Sequence, residues 1–340
     1  MDIGMVTDKK MRVLVIAGSS RRVTNCPAAD SKAKFFAERA KEKMPKDWVI
    51  DIFNAGNDYV LPKIQSCNAC VSTSMALCVW PCNCYERHSF FEPDLMWDED
   101  LYGRIYAADA IMVCAPVNWY NVTSSIKLLF DRLVCANGGN PDEKLIGHKD
   151  GALAAQLEHS PKWKELSVNH LEGRTAAFFT YGDEGGDEPA DDGRPAILRH
   201  KEYFDPAEEA KMGYVSYFYG PVIWQCRHSG IETPERLIKQ VAFGKGGKYS
   251  DNQIEELKED KATLDEFDAW VKDVEEFVLK KGKVPPSKYP VPLRRPDSDM
   301  RPFLRQLQLL VRMVLGNLWL HSAGYFVSRY YAKKLRLYKD

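Results

Sequence analysis

Residues 12–17 (Arg-Val-Leu-Val-Ile-Ala) form a short, β-branched apolar run that stops at Gly18. A run apolar on both faces suits a central parallel strand covered by helices on each side. Similar runs recur at 48–53, 110–115, 175–180 and 221–226, giving five expected strands. Helix-like stretches lie between or after them. Residues 29–44 are rich in Ala, Lys and Glu, and Ser124–Val134 carries Ile126, Leu129, Phe130 and Leu133 at helical spacing. Asp205-Pro206-Ala207-Glu208 reads as a helix start, and Leu264–Leu279 aligns Phe267, Trp270, Val271, Val274 and Phe277 on one stripe. Strands alternating with helices imply a doubly wound α/β sheet. Such a sheet binds its ligand at the carboxyl ends of the strands, where the strand order reverses.

Other properties narrow the function. The formal net charge of −1 gives no electrostatic reason to expect nucleic acid. The first ten residues lack an apolar signal core, and nine cysteines is an odd count. Both favour reduced thiols and a cytoplasmic address. The histidine pairs Glu158-His159 and Arg227-His228 belong to no catalytic pattern and read as structural.

Two loops carry the chemistry. The first strand ends in Gly18-Ser19-Ser20-Arg21-Arg22-Val23-Thr24-Asn25-Cys26, which fits neither a dinucleotide fingerprint nor a Walker loop. Its hydroxyls, the Asn25 amide, backbone N–H groups and the start of the next helix suit one phosphate; an ordinary capped turn is the plainer reading. The third strand ends in Ala115-Pro116-Val117-Asn118-Trp119-Tyr120-Asn121-Val122-Thr123-Ser124-Ser125. This loop can offer amides and a ring edge to a planar ligand.

In that order, the two loops resemble those of the NAD(P)H-dependent FMN reductases and iron–sulfur flavoproteins of the flavodoxin superfamily. The resemblance covers residues 11–135 well and 175–280 loosely. It implies a flavodoxin-like five-stranded parallel sheet binding FMN, with the phosphate on Ser19, Arg21 and Asn25. The isoalloxazine edge would lie on Pro116, Val117, Asn118 and Trp119, with Gly182 and Asp183 in a third, glycine-bearing loop. Cys26 replaces the usual Thr and Asn118 the usual Tyr. Lys127 and Asp131-Arg132 also match and read as a structural helix and subunit-contact feature.

The implied activity transfers electrons from NADPH or NADH, through FMN, to a small acceptor: a quinone, a nitro or azo compound, or free flavin. No catalytic side chain is required, because the flavin N5 carries the chemistry. The alternative is an FMN/iron–sulfur carrier that serves protein partners.

Cys67, Cys70, Cys78, Cys82 and Cys84 fall within eighteen residues, inside a Cys-rich insertion at 67–98. Four of the five could hold a [4Fe–4S] cluster or a tetrahedral zinc, or all could simply pack. Cys114, Cys135 and Cys226 sit in apolar runs and read as core. The resemblance favours the cluster.

The domain expected over 1–284 is followed by a Pro-rich linker and a basic, apolar arm over 285–340. Residues 284–302 contain six prolines, and Met313–Ser328 has no Asp, Glu, Lys or Arg. That apolar stretch is too short to span a bilayer. It reads as a helical arm packing on a partner subunit in a homodimer or homotetramer, or as a peripheral membrane contact.

Overall fold

The computed structural model describes residues 10–23, 28–55, 64–87, 89, 92–118, 121–182, 216–242, 253–294, 311, 314–315, 317–318 and 322–323. The helix start expected at 205–208 lies outside them.

Five strands, β1 (Arg12–Ala17), β2 (Val49–Asn54), β3 (Ala110–Pro116), β4 (Thr175–Gly182) and β5 (Ile238–Ala242), form one sheet in the order β2-β1-β3-β4-β5. Every neighbouring pair is parallel. This is the flavodoxin-like order, whose switch point lies between β1 and β3.

The helices in chain order are α1 (Lys32–Lys43), α2 (Leu95–Asp98), α3 (Leu101–Ala107), α4 (Ser124–Arg132), α5 (Gly151–Glu158), α6 (Trp163–Leu166), α7 (Ser216–His228), α8 (Ile254–Glu259) and α9 (Lys261–Lys281). Strand side chains alternate between two cores. Val13, Val15 and Ala17 join Met112, Cys114, Phe179, α1 and the α9 stripe. Leu14 and Ile16 join Ile111, Val113, Phe178 and the buried residues of α3, α4 and α7. Burial on both faces is why β1, β3 and β4 read as continuous apolar runs.

The fifth strand is not where the sequence placed it. Residues 221–226 lie inside α7, and β5 is Ile238–Ala242. Tyr219, Val222, Ile223 and Cys226 are buried at helical spacing, whereas Trp224 is 68% exposed. Strand alternation would have put Val222, Trp224 and Cys226 on one face. The real β5 hides its apolar pattern behind Lys239 and Gln240.

The Cys-rich segment packs into the main core. Cys78, Trp80 and Cys82 are buried there, beside Leu95, Trp97 and Tyr102. The Trp80–Pro81 peptide is cis. Arg132 crosses beneath this segment, fully buried, in an ion pair of 2.8 Å with the equally buried Asp94. The expectation of a subunit contact at Arg132 is therefore corrected: its guanidinium is spent inside the core. Lys127 and Asp131 form an exposed pair one turn apart on α4.

Residues 284–294 are not a free linker either. Val284 N–H donates to Asp109 (2.9 Å), Ser287 N–H to the Tyr106 hydroxyl (2.8 Å) and Arg294 N–H to Asp100 (2.7 Å), while Val291 is buried. Proline removes N–H donors, and the residues between the prolines supply those that tie this stretch down. In the tail, the described residues are helical, and Val311, Val314, Leu315 and Leu318 are exposed along one stripe.

Candidate functional site

Because β1, β3 and β4 are sheet neighbours, their carboxyl ends bring three loops together. Gly18 N–H donates to Cys114 O (2.8 Å), extending the β1–β3 ladder by one residue. Val117 N–H donates to Tyr181 O (2.8 Å) and does the same for β3 and β4. A Cβ built on Gly18 would stand 2.6 Å from Ile126 and 2.7 Å from Ala115, so no larger residue fits without a shift. A Cβ on Gly182 would meet that of Val117 at 3.4 Å, showing how closely the second and third loops abut.

The second loop is anchored from both sides. The Thr123 hydroxyl donates to Gly18 O at 2.6 Å, and the Tyr219 hydroxyl to Pro116 O at 3.1 Å. Asn118 and Asn121 exchange backbone hydrogen bonds of 2.8 and 3.1 Å, closing a tight turn. Trp119 and Tyr120 lie outside the described residues. Tyr219 and Thr123 were missed as loop anchors from the sequence. The misread of α7 concealed Tyr219, and a Thr before a helix reads first as a cap.

In the first loop, Ser19 is buried and its hydroxyl accepts the Arg21 N–H at 3.3 Å. Burial raises the Tyr181 hydroxyl pKa, and the Arg21 guanidinium opposes that rise. Residues 18–23 contain hydroxyls, arginines and amides but no carboxylate. That donor set fits a phosphate.

The start of α1 contributes less than its sequence suggests. Ser31 caps it by accepting the Lys34 N–H (3.3 Å), and Asp30 accepts the Ser31 N–H (2.8 Å). The chain's own oxygens thus occupy this helix terminus, leaving an anion to the loop. Asn25, Cys26 and Asp183 lie outside the described residues.

The five candidate metal ligands share one neighbourhood without forming a metal site. Among the described residues, no group of three or more His, Cys, Asp or Glu is arranged to hold a metal ion. Cys70 and Cys84 have their sulfurs 3.0 Å apart. Two thiolates on one tetrahedral zinc, each at about 2.3 Å, would stand about 3.8 Å apart. Cys67 accepts the Ala69 N–H at 3.3 Å. The described residues therefore do not support the expected [4Fe–4S] or zinc centre and show a cluster of thiols.

Their environments differ. The hydrogen bond with Cys84 pulls the Cys70 thiol pKa down. The same bond raises that of Cys84. Burial pushes Cys78 up, while Cys82 is raised by its hydrogen bond with Cys84 and by burial. Cys114, Cys135 and Cys226 are buried, as expected of core residues.

Comparison with known proteins agrees with this architecture. Residues 11–202 match the family described as NADPH-dependent FMN reductase. Among solved structures, the apo form of an NADH:FMN oxidoreductase aligns at 11% identity, covering 84% of this chain and 98% of that one, with a TM-score of 0.38. An FMN-dependent NADH-azoreductase from Bacillus anthracis aligns at 14% identity over 78% of this chain and 99% of its own, with a TM-score of 0.36. An NADPH-quinone reductase from P. pentosaceus aligns at 10% identity over 79% and 96%, with a TM-score of 0.32. These likenesses are loose. The chain has no significant match among curated proteins. With the family match spanning more than half of the sequence, including β1, β3 and β4 and the loops at their ends, the chain belongs to the NADPH-dependent FMN reductase family and is an NAD(P)H-dependent flavin oxidoreductase.

Proposed function

We propose that FMN lies across the carboxyl ends of β1, β3 and β4, with its phosphate on the loop of Ser19 and Arg21 and its ring edge along Pro116, Val117, Asn118 and Gly182. Asn25, Trp119 and Asp183 belong to the same three loops in the sequence. The observation that carries this reading is the abutment of the loops, two of them held by single hydrogen bonds from Thr123 and Tyr219. FMN held on these loops would supply hydride and electron transfer between a reduced nicotinamide and a second acceptor.

The chain's own residues bind, orient and enclose. Arg21 offsets phosphate charge, and Pro116, Val117, Asn118 and Gly182 line the ring edge. The Gly18 contact with Ala115 and Ile126 fixes the height of the first loop against the sheet. The acceptor we propose is a small oxidant: a quinone, an azo or nitro compound, or free flavin. The carrier reading is less favoured, because the described cysteines give a metal centre no support.

Steady-state oxidation of NADPH and NADH by FMN-loaded protein, with a quinone, an azo dye and free flavin offered in turn, tests the proposal. Rapid turnover with at least one of them is expected. No turnover with any, despite bound and reducible FMN, would overturn the small-acceptor reading and leave the family assignment intact.

A further inference from the structure

We propose that Cys70 and Cys84 form a thiol–disulfide exchange couple that reduces small disulfides, with Cys70 attacking and Cys84 resolving. Their sulfurs lie 3.0 Å apart, inside van der Waals contact, and the residues are fourteen positions apart in sequence. A disulfide needs about 2.05 Å, so a movement of about 1 Å closes the bond.

The surroundings select this pair from the cluster. Cys70 and Cys84 are both partly exposed, whereas Cys78, Cys82 and Cys135 are buried. Cys67, also partly exposed, is engaged by the Ala69 N–H. Next to Cys84 in the chain, the Tyr85 ring carries the Arg132 guanidinium at 4.8 Å, and Arg132 Nε and Nη2 are buried without a hydrogen-bond partner. A buried cation with spare donors beside sulfur suits a site where a thiolate must form transiently.

The exchange balances without a further reagent. The Cys70 thiolate attacks one sulfur of R–S–S–R, forming a Cys70–S–S–R bond and expelling RS⁻. The Cys84 thiolate then attacks the Cys70 sulfur, forming the intramolecular disulfide and expelling the second RS⁻. The protons from the two cysteines end on the two released thiols. Two cysteines are oxidised and one small disulfide is reduced. Neither FMN nor nicotinamide takes part, so the inference stands apart from the proposed function.

The test uses the reduced full-length protein, with no nicotinamide present, titrated with oxidised glutathione. Thiol counting should show a loss of two thiols per chain, and peptide mapping should find Cys70 joined to Cys84. Cys84→Ser should instead retain one glutathione on Cys70, and Cys70→Ser should lose the reaction. The wild-type mapping needs no variant, so a folding defect in either substitution leaves the test intact. Disulfides or adducts centred on other cysteines, no loss of thiols, or stoichiometric iron or zinc in anaerobically prepared protein would each overturn the proposal.

Discussion

The guanidinium of Arg132 meets the carboxylate of Asp94 at 2.8 Å, with both side chains wholly removed from solvent. Asp94 also caps α2 by accepting the Met96 N–H (3.2 Å), and Arg132 Nη1 donates to Gln65 O (3.1 Å). One pair thus joins α4, which follows the proposed flavin loop, to the segment that carries the cysteines. Burial raises the Asp94 carboxyl pKa, and the nearby guanidinium opposes that rise. Removing one partner strands a charge, so Arg132→Met or Asp94→Asn should cost about 3–5 kcal/mol. The double variant Arg132→Met with Asp94→Leu should recover much of that loss. Urea unfolding measures both, and equal losses in the single and double variants would contradict this account.

A second prediction concerns pH. His170 stacks on Trp80 with ring centroids 5.1 Å apart, and its Nε2 bonds Gly139 O at 2.7 Å. Its Nδ1 is buried without a partner, and burial lowers the ring's pKa from 6.5 to about 4. The unfolded chain therefore takes up this proton at higher pH than the folded one. The neutral ring contributes full stability above about pH 6.5, and this is lost as pH falls towards 4. The loss attributable to His170 should reach about 3 kcal/mol. Unfolding free energies of wild type and His170→Gln, compared from pH 7 to pH 4, isolate it. A constant difference across that range would be the contrary result.

Much of this architecture is legible in the sequence. β1, β3 and β4 stood out because burial on both faces demands an unbroken apolar run. The α9 stripe stood out because Phe267, Trp270, Val271 and Val274 recur at helical spacing. β5 was hidden because an edge strand with Lys239 and Gln240 needs no such run. α7 was mistaken for a strand because six residues are too few to separate a strand from one helical turn and a half. Arg132 reads as part of a helix and subunit-contact feature, and only the position of Asp94 shows that its charge is held in the core. The two flavin loops were legible as a pair, but their anchors come from contacts 103 and 105 residues apart in sequence.

One of those anchors yields a third prediction. Tyr219→Phe deletes only the hydroxyl that donates to Pro116 O. A neutral hydrogen bond contributes about 0.5–1.5 kcal/mol, so FMN should bind roughly two- to tenfold more weakly, with the fold retained. Flavin fluorescence titration reads the change. An unaltered affinity would show that this tether does not shape the ring site.

The fourth prediction addresses the tail. Val311, Val314, Leu315 and Leu318 are all exposed, a stripe that soluble monomers rarely leave uncovered. We expect a second subunit to cover it, so deleting residues 300–340 should convert a dimer to a monomer by light scattering. A full-length protein that is monomeric and sediments with anionic vesicles would favour the membrane surface instead.

The central claim is that FMN sits on the loops after β1, β3 and β4, and flavin binding by Ser19→Ala and Arg21→Ala tests it most directly. Hydrogen bonds to a charged phosphate contribute about 1.5–3 kcal/mol each, so each variant should bind FMN roughly ten- to hundredfold more weakly than wild type. Wild-type affinity in both variants, or wild-type protein that neither binds added FMN nor gains thermal stability from it, would contradict the account.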